Sequence, residues 1–129
     1  MGVLIDSDVF IEAERGARPL ADAVGDEPWA ISVVTVSELL HGVHRAEGDI
    51  RVRRRAWVEE LLVGTEAIPI TMSVARVHAE LWSSLAGAGR AIGQHDLWIG
   101  ATALTHGLGI VTRNRRDFER LPGLRVVAA

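Results

Sequence analysis

Short apolar runs alternate with helix-like patterns along the whole chain, and acids stand at the handovers. Val3-Leu4-Ile5 runs straight into Asp6. Trp29-Ala30-Ile31-Ser32-Val33 precedes Glu38, Ala67-Ile68-Pro69-Ile70 precedes a long amphipathic stretch, Ile110-Val111-Thr112 precedes Asp117, and Leu124-Arg125-Val126-Val127 ends the series. Such runs read as buried strands, and strands that alternate with helices pair in parallel, with helices on both faces of the sheet. Pro69 suits an edge strand, where a missing N–H breaks no ladder. In a parallel sheet the strand-to-helix handovers share one edge, so acids far apart in sequence can meet in one cleft.

The helical pattern is legible in similar detail. Val9-Phe10-Ile11 begins a helix with Ser7 or Asp8 as its N-cap, and Gly16 and Pro19 break it. Leu20 to Val24 is a further short helix. Thr35-Val36-Ser37-Glu38 starts the next, with Val36, Leu39, Leu40 and Val43 at helical spacing. After Gly48-Asp49 a helix runs from Ile50 to Val63. Thr71 or Ser73 caps a long one through Val74, Val77, Leu81, Trp82 and Leu85, which Gly87-Ala88-Gly89 ends. Gln94-His95-Asp96 leads into a small-residue helix over Leu97 to His106, and Arg115 to Leu121 forms the last.

Composition narrows the function classes. A chain of 129 residues, 48% of them hydrophobic, suits one domain, 1–129, with its own core. No apolar stretch approaches the ~18 residues of a membrane span, and the opening MGVLIDSD lacks the basic segment of a signal peptide. A cytoplasmic protein with no membrane partner is expected. Cysteine is absent, which excludes disulfides, thiolate catalysis and Cys-based zinc sites. Net charge is -3, so the chain is not a polycation built to coat nucleic acid. All 14 basic residues are Arg, a bias that GC-rich coding explains.

Each acid has an ordinary reading on its own. Asp6 stands where acids cap helices, Glu38 completes a capping box with Thr35, and Asp96 and Asp117 lie in first helical turns, where the macrodipole favours negative charge. Four separate caps remain one explanation. Convergence on one divalent cation explains all four together, and an all-oxygen donor set selects Mg²⁺ or Mn²⁺ over zinc or copper.

Asp6-Ser7-Asp8 after Val3-Leu4-Ile5, Ser37-Glu38-Leu39-Leu40 with Gly42, Asp96-Leu97-Trp98-Ile99-Gly100-Ala101-Thr102-Ala103, and Thr112-Arg113-Asn114-Arg115-Arg116-Asp117-Phe118 together resemble the four motifs of PIN-domain ribonucleases. The match is strongest to the VapC toxins of bacterial type II toxin–antitoxin modules and covers essentially the whole chain. The resemblance implies a PIN-like three-layer α/β/α sandwich with a mostly parallel five-stranded sheet. It implies a Mg²⁺-dependent endoribonuclease, with Mn²⁺ able to substitute, that leaves 5′-phosphate and 3′-hydroxyl ends. It also implies a homodimer and silencing by a cognate VapB-like antitoxin. Asp6, Glu38 and Asp96 match the first three acids of the family. The fourth position falls either on Asn114, which would place a metal-bound water, or on Asp117 three residues later. Asp8 departs from the Asn or Ser common near that point.

The expected catalytic and metal-holding set is therefore Asp6, Glu38, Asp96 and Asp117. Asn114, Thr112 and Ser7 are the supporting polar groups, and Arg113, Arg115 and Arg116 are the contacts to RNA phosphates. Arg51, Arg53, Arg54 and Arg55 are a second basic run, with pairing to Glu59 and Glu60 along the same helix as the plain alternative. His41 and His44 read as surface residues. Trp57, Trp82 and Trp98 read as core or dimer interface. Three rival functions compete. A haloacid-dehalogenase-like phosphatase would use Asp6 as nucleophile but needs a Lys that this chain lacks. A receiver domain needs an Asp after the third strand and a Lys, but here Thr71 follows Ile70 and Lys is absent. A non-catalytic PIN-like module that binds RNA or protein is the third.

Overall fold

Five short strands form one sheet whose pairs all run parallel, in the order β3-β2-β1-β4-β5. The computed structural model describes residues 2–129. The strands are β1 (Val3–Ile5), β2 (Trp29–Ser32), β3 (Ala67–Ile68), β4 (Gly109–Thr112) and β5 (Val126–Ala128). The helices are α1 (Ser7–Glu14), α2 (Leu20–Val24), α3 (Val33–Arg45), α4 (Gly48–Val63), α5 (Met72–Gly87), α6 (Gln94–Thr105) and α7 (Arg115–Phe118). Pro69 follows β3 at the sheet edge, as its missing N–H requires.

Strand side chains alternate between two cores. Val3, Ile5, Ile31 and Val111 face a cluster with Val9, Phe10, Leu39, Val43 and Val58 from α1, α3 and α4. Leu4 and Ile110 face the other cluster, with Val74, Leu81, Leu85, Leu97, Ile99 and Phe118 from α5, α6 and α7. This two-sided burial is why β1 and β4 read as unbroken apolar runs. The small residues of α6 let it lie close to its neighbours: a Cβ on Gly100 would collide with the side chain of Leu121. No helix among the described residues is long and apolar enough to cross a membrane.

Several helix starts differ from the sequence expectation, and one difference matters for the site. Asp6, not Ser7 or Asp8, caps α1: its Oδ1 accepts from the Ser7 N–H at 2.8 Å. Ser32 caps α3, its Oγ accepting from the Val34 N–H at 3.1 Å. The helix therefore begins at Val33, Thr35 lies inside it, and Thr35 with Glu38 is not a capping box. Helix α4 starts at Gly48 and α6 at Gln94, each earlier than its apolar pattern, because polar first turns carry no periodic signal. Thr71 caps α5 as expected, accepting from the Val74 N–H at 3.3 Å.

The basic run of α4 also behaves differently from a helix face paired to itself. Arg51 donates to the carbonyls of Ala46 and His44 at 2.6 and 2.8 Å, and so satisfies the exposed end of α3. Arg54 pairs with Glu14 of α1 at 3.2 Å. Two of these arginines thus tie α4 to its neighbours, in place of bonds to Glu59 or Glu60.

Phe118 is fully buried and anchors α7 against α6. Phe118→Ala should cost about 3–5 kcal/mol, read by urea denaturation in metal-free buffer.

Candidate active site

The chain order of the sheet dictates where a cleft opens. From β1 the chain winds outward to β2 and β3, then returns to the other side of β1 with β4 and β5. Helices that follow β1 and β4 leave in different directions, and the carboxyl ends of those two strands border the gap. Asp6 follows β1, and Thr112 ends β4. The register pairs Ile5 with Val111, and the Asp6 N–H donates to the Val111 carbonyl at 2.9 Å, so residues 6 and 112 must be neighbours.

A chain of hydrogen bonds starts there. Thr112 Oγ1 donates to Asp6 Oδ2 at 2.8 Å, and the same hydroxyl oxygen accepts from the Asn114 N–H at 2.9 Å. The Asn114 amide Nδ2 then donates to Asp96 Oδ2 at 3.2 Å and to Asp117 Oδ2 at 3.0 Å. Asn114 and Asp117 therefore do not compete for one position: both are in the cluster, and the amide holds two carboxylates side by side. Ser7 contributes its backbone N–H to Asp6. Asp8 Oδ1 accepts from the Arg113 N–H at 3.4 Å.

Glu38 comes from α3, on the far wall. Its Oε2 accepts from His95 Nδ1 at 3.4 Å, which requires the proton on that nitrogen. Its Oε1 is buried with no hydrogen-bond partner among the described residues. A helix-interior carboxylate with one oxygen left bare needs an explanation that capping no longer supplies.

Electrostatics join these acids into one group. Burial first, then the charge of Asp8 and that of Asp96, push the Asp6 carboxyl up to about 7, against the Thr112 and Ser7 hydrogen bonds. Burial, followed by the charges of Glu38 and Asp117, pushes Asp96 up to about 6, and the Asn114 amide opposes this. Asp8 is raised mainly by burial, with Arg113 pulling it back. Asp6 thus feels the charges of Asp8 and Asp96, and Asp96 those of Glu38, Asp117 and Asp8, across the cleft.

These residues suit a hard divalent cation. All the donors are oxygens, the carboxylates repel each other, and one buried oxygen stands unpartnered. Among the described residues, no group of three or more acidic or histidine side chains is posed so as to hold an ion. Asn114 occupies the space between Asp96 and Asp117, and both oxygens of Asp6 already accept hydrogen bonds. Mg²⁺ does not require such a cage, since it keeps several waters and binds through one or two carboxylates.

The basic rim is partly committed. Arg113 pairs with Glu12 at 3.2 Å and Arg115 with Glu119 at 2.9 Å, while Arg116 is exposed. Arg120 approaches Asp117 at 3.6 Å. Beside Glu38 the surface opens into an apolar groove between α1, α3 and α4, floored by Phe10, Leu39, Trp57 and Val58. Two residues left outside the expected set, His95, which the sequence places beside Asp96 where it could approach a substrate, and Asp8 of the first motif, belong to the site. His95 reaches Glu38 across the α3–α6 junction, and Asp8 adds to the field at Asp6. Their adjacency to Asp96 and Asp6 was the available signal.

Residues 3–124 match the family model described as PIN domain. The chain is 32% identical to Ribonuclease VapC1 of Rickettsia felis, over 98% of this chain and 96% of that protein. It is 38% identical to Ribonuclease VapC5 of Mycobacterium tuberculosis, over 93% and 87% respectively. Its structure superimposes on the crystal structure of VapBC-5 from Mycobacterium tuberculosis with a TM-score of 0.83 and 32% identity, covering 99% of this chain and 98% of that one.

Two outcomes test this geometry. Asp6 and Asp96 bind protons more tightly when folded, so their stabilising contribution is complete below pH about 4 and is lost as pH rises through about 6 and 7. In metal-free buffer the melting temperature of Asp6→Asn relative to wild type should therefore climb from pH 4 to pH 7.5, and saturating Mn²⁺ should shrink that gap by stabilising the ionised wild type. Thr112→Val keeps the shape but strands the Asn114 N–H and removes a donor from Asp6. It should cost roughly 1–3 kcal/mol in chemical denaturation.

Proposed function

We propose that this chain, which belongs to the PIN-domain family, is a metal-dependent endoribonuclease and the toxin of a type II toxin–antitoxin module. The observation that carries the reading is the convergence of Asp6, Asp96, Asp117 and Glu38 at the carboxyl ends of β1 and β4, with a buried carboxylate oxygen left unpartnered. Curated relatives named as ribonucleases, at 32% and 38% identity over nearly the whole chain, support the same activity. The chain's lack of Lys weighs against the phosphatase reading.

In this mechanism Asp6 and Asp96 would hold Mg²⁺, or Mn²⁺ in its place, and Glu38 and Asp117 would serve directly or through water. Once bound, the cation would acidify an attacking water and offset charge on the phosphodiester oxygens. Thr112 keeps Asp6 oriented, and Asn114 keeps Asp96 and Asp117 apart at a fixed spacing. Raised proton affinity at Asp6 and Asp96 means that a cation competes with protons for these side chains, so its binding would release protons and strengthen as pH rises through about 6 and 7. Arg116, with Arg113 and Arg115 beside it, offers guanidinium contacts to the RNA backbone at the rim of an otherwise acidic cleft.

The same charge pattern suits a VapB-like antitoxin. An arginine from such a partner would complement the acid cluster, and the apolar groove that begins at Glu38 offers a seat for the segment carrying it. A relative solved as VapBC-5 supports this partnership. We propose a homodimer, with the exposed Trp82 of α5 as a candidate contact, and a cytoplasmic location with its RNA.

Purified protein should cut single-stranded RNA in Mg²⁺ or Mn²⁺ and stop in EDTA. Asp6→Asn and Asp96→Asn should each lose at least about 100-fold in kcat, judged against general losses for displaced charge-stabilising groups. Wild-type activity matched by both variants would sink the proposal.

A further inference from the structure

Asp96 rides on the first turn of α6, and that turn has no cap of its own. Its N-cap is Gly93, which supplies no side-chain hydrogen bond. A lateral clamp from α5 holds the turn instead. His78 is 4% exposed, and its ring stacks on Trp98 with 3.5 Å between centroids and 14° between planes. It meets Trp82 edge-on at 5.7 Å. His78 Nε2 donates to Gln94 Oε1 at 3.1 Å, since that oxygen can only accept.

The two contacts on α6 stand one turn apart and on one side. At about 100° per residue, Gln94 and Trp98 nearly align along the helix, and Asp96 projects about 200° from Gln94, towards the cleft. There its carboxylate meets Asn114. A roll or slide of this turn that re-aims Asp96 must break the stack on Trp98 or the hydrogen bond to Gln94. Gln94 itself is exposed, so its bond to His78 is not needed to satisfy a buried amide. His78 is buried, so its N–H needs an acceptor, and Gln94 is the one that ties this ring to the first turn of α6.

We infer that His78 is a positioning residue, which sets the rotation of α6 and through it the aim of Asp96. The inference rests on the reading of Asp96 as a cation-holding carboxylate. Three variants separate positioning from plain stability. His78→Phe keeps an aromatic ring and loses the donor, Gln94→Ala removes the acceptor, and Val74→Ala opens the core one turn earlier on α5. Mn²⁺ affinity is measured on RNA-free protein by electron paramagnetic resonance, alongside kcat and KM for RNA cleavage and the melting temperature.

His78→Phe and Gln94→Ala should each weaken Mn²⁺ binding about tenfold, at the low end of what removing supporting groups costs. Each should also lower kcat, with KM for RNA within about twofold. Val74→Ala should melt earlier yet bind Mn²⁺ as wild type does. His78→Phe binding Mn²⁺ as tightly as wild type would overturn the inference alone, as would an equal loss of Mn²⁺ affinity in Val74→Ala. Wild type that neither binds Mn²⁺ nor cuts RNA would overturn the reading of the site and this inference with it.

Discussion

The parallel pairing of β1 with β4 is the constraint from which the rest of the site follows. It brings residue 6 beside residue 112, across most of the chain's length, and the Thr112 hydroxyl then joins the two strand ends through Asp6. Because that hydroxyl also accepts from the Asn114 N–H, the turn after β4 is set by the same contact. Asn114 in turn orients Asp96 and Asp117. One backbone register thus organises side chains from three separate segments.

That organisation works against the fold's own electrostatics. Carboxylates gathered in a half-buried cleft raise each other's proton affinity, and hydrogen bonds from Thr112, Ser7 and Asn114 offset only part of the effect. Such local conflict is typical of functional sites, where a polar group is kept for what it does rather than for stability. The chemistry proposed here uses the conflict directly, since a cation relieves what the protein alone leaves unresolved. The clamp of His78 on α6 belongs to the same logic. A carboxylate aimed against repulsion needs rigid support behind it.

Much of this was legible in the residues. Continuous burial of β1 and β4 on two faces left unbroken apolar runs, so strands and their parallel sense could be read without contacts. Gly16 and Gly107 marked helix ends and Thr71 announced the start of α5, but Gly48, read as a break, is the first residue of α4. Polar first turns were harder. The starts of α4 and α6 carry no apolar periodicity, and the strand was read on to Val33, whereas Ser32 both ends β2 and caps α3. That error gave Glu38 a false ordinary explanation, which its mid-helix position removes.

By itself the sequence determined the elements, their alternation and the identity of the acids, because burial patterns and turn chemistry are local properties of the chain. It also carried enough of the motif pattern to point to the family. Only the tertiary structure decided that Asn114 and Asp117 act together, that His95 reaches Glu38, and that His78 grips the turn bearing Asp96. Those contacts join segments from different helices and loops. Their distances depend on how α3, α5 and α6 pack, and side-chain spacing along one segment holds no record of that packing.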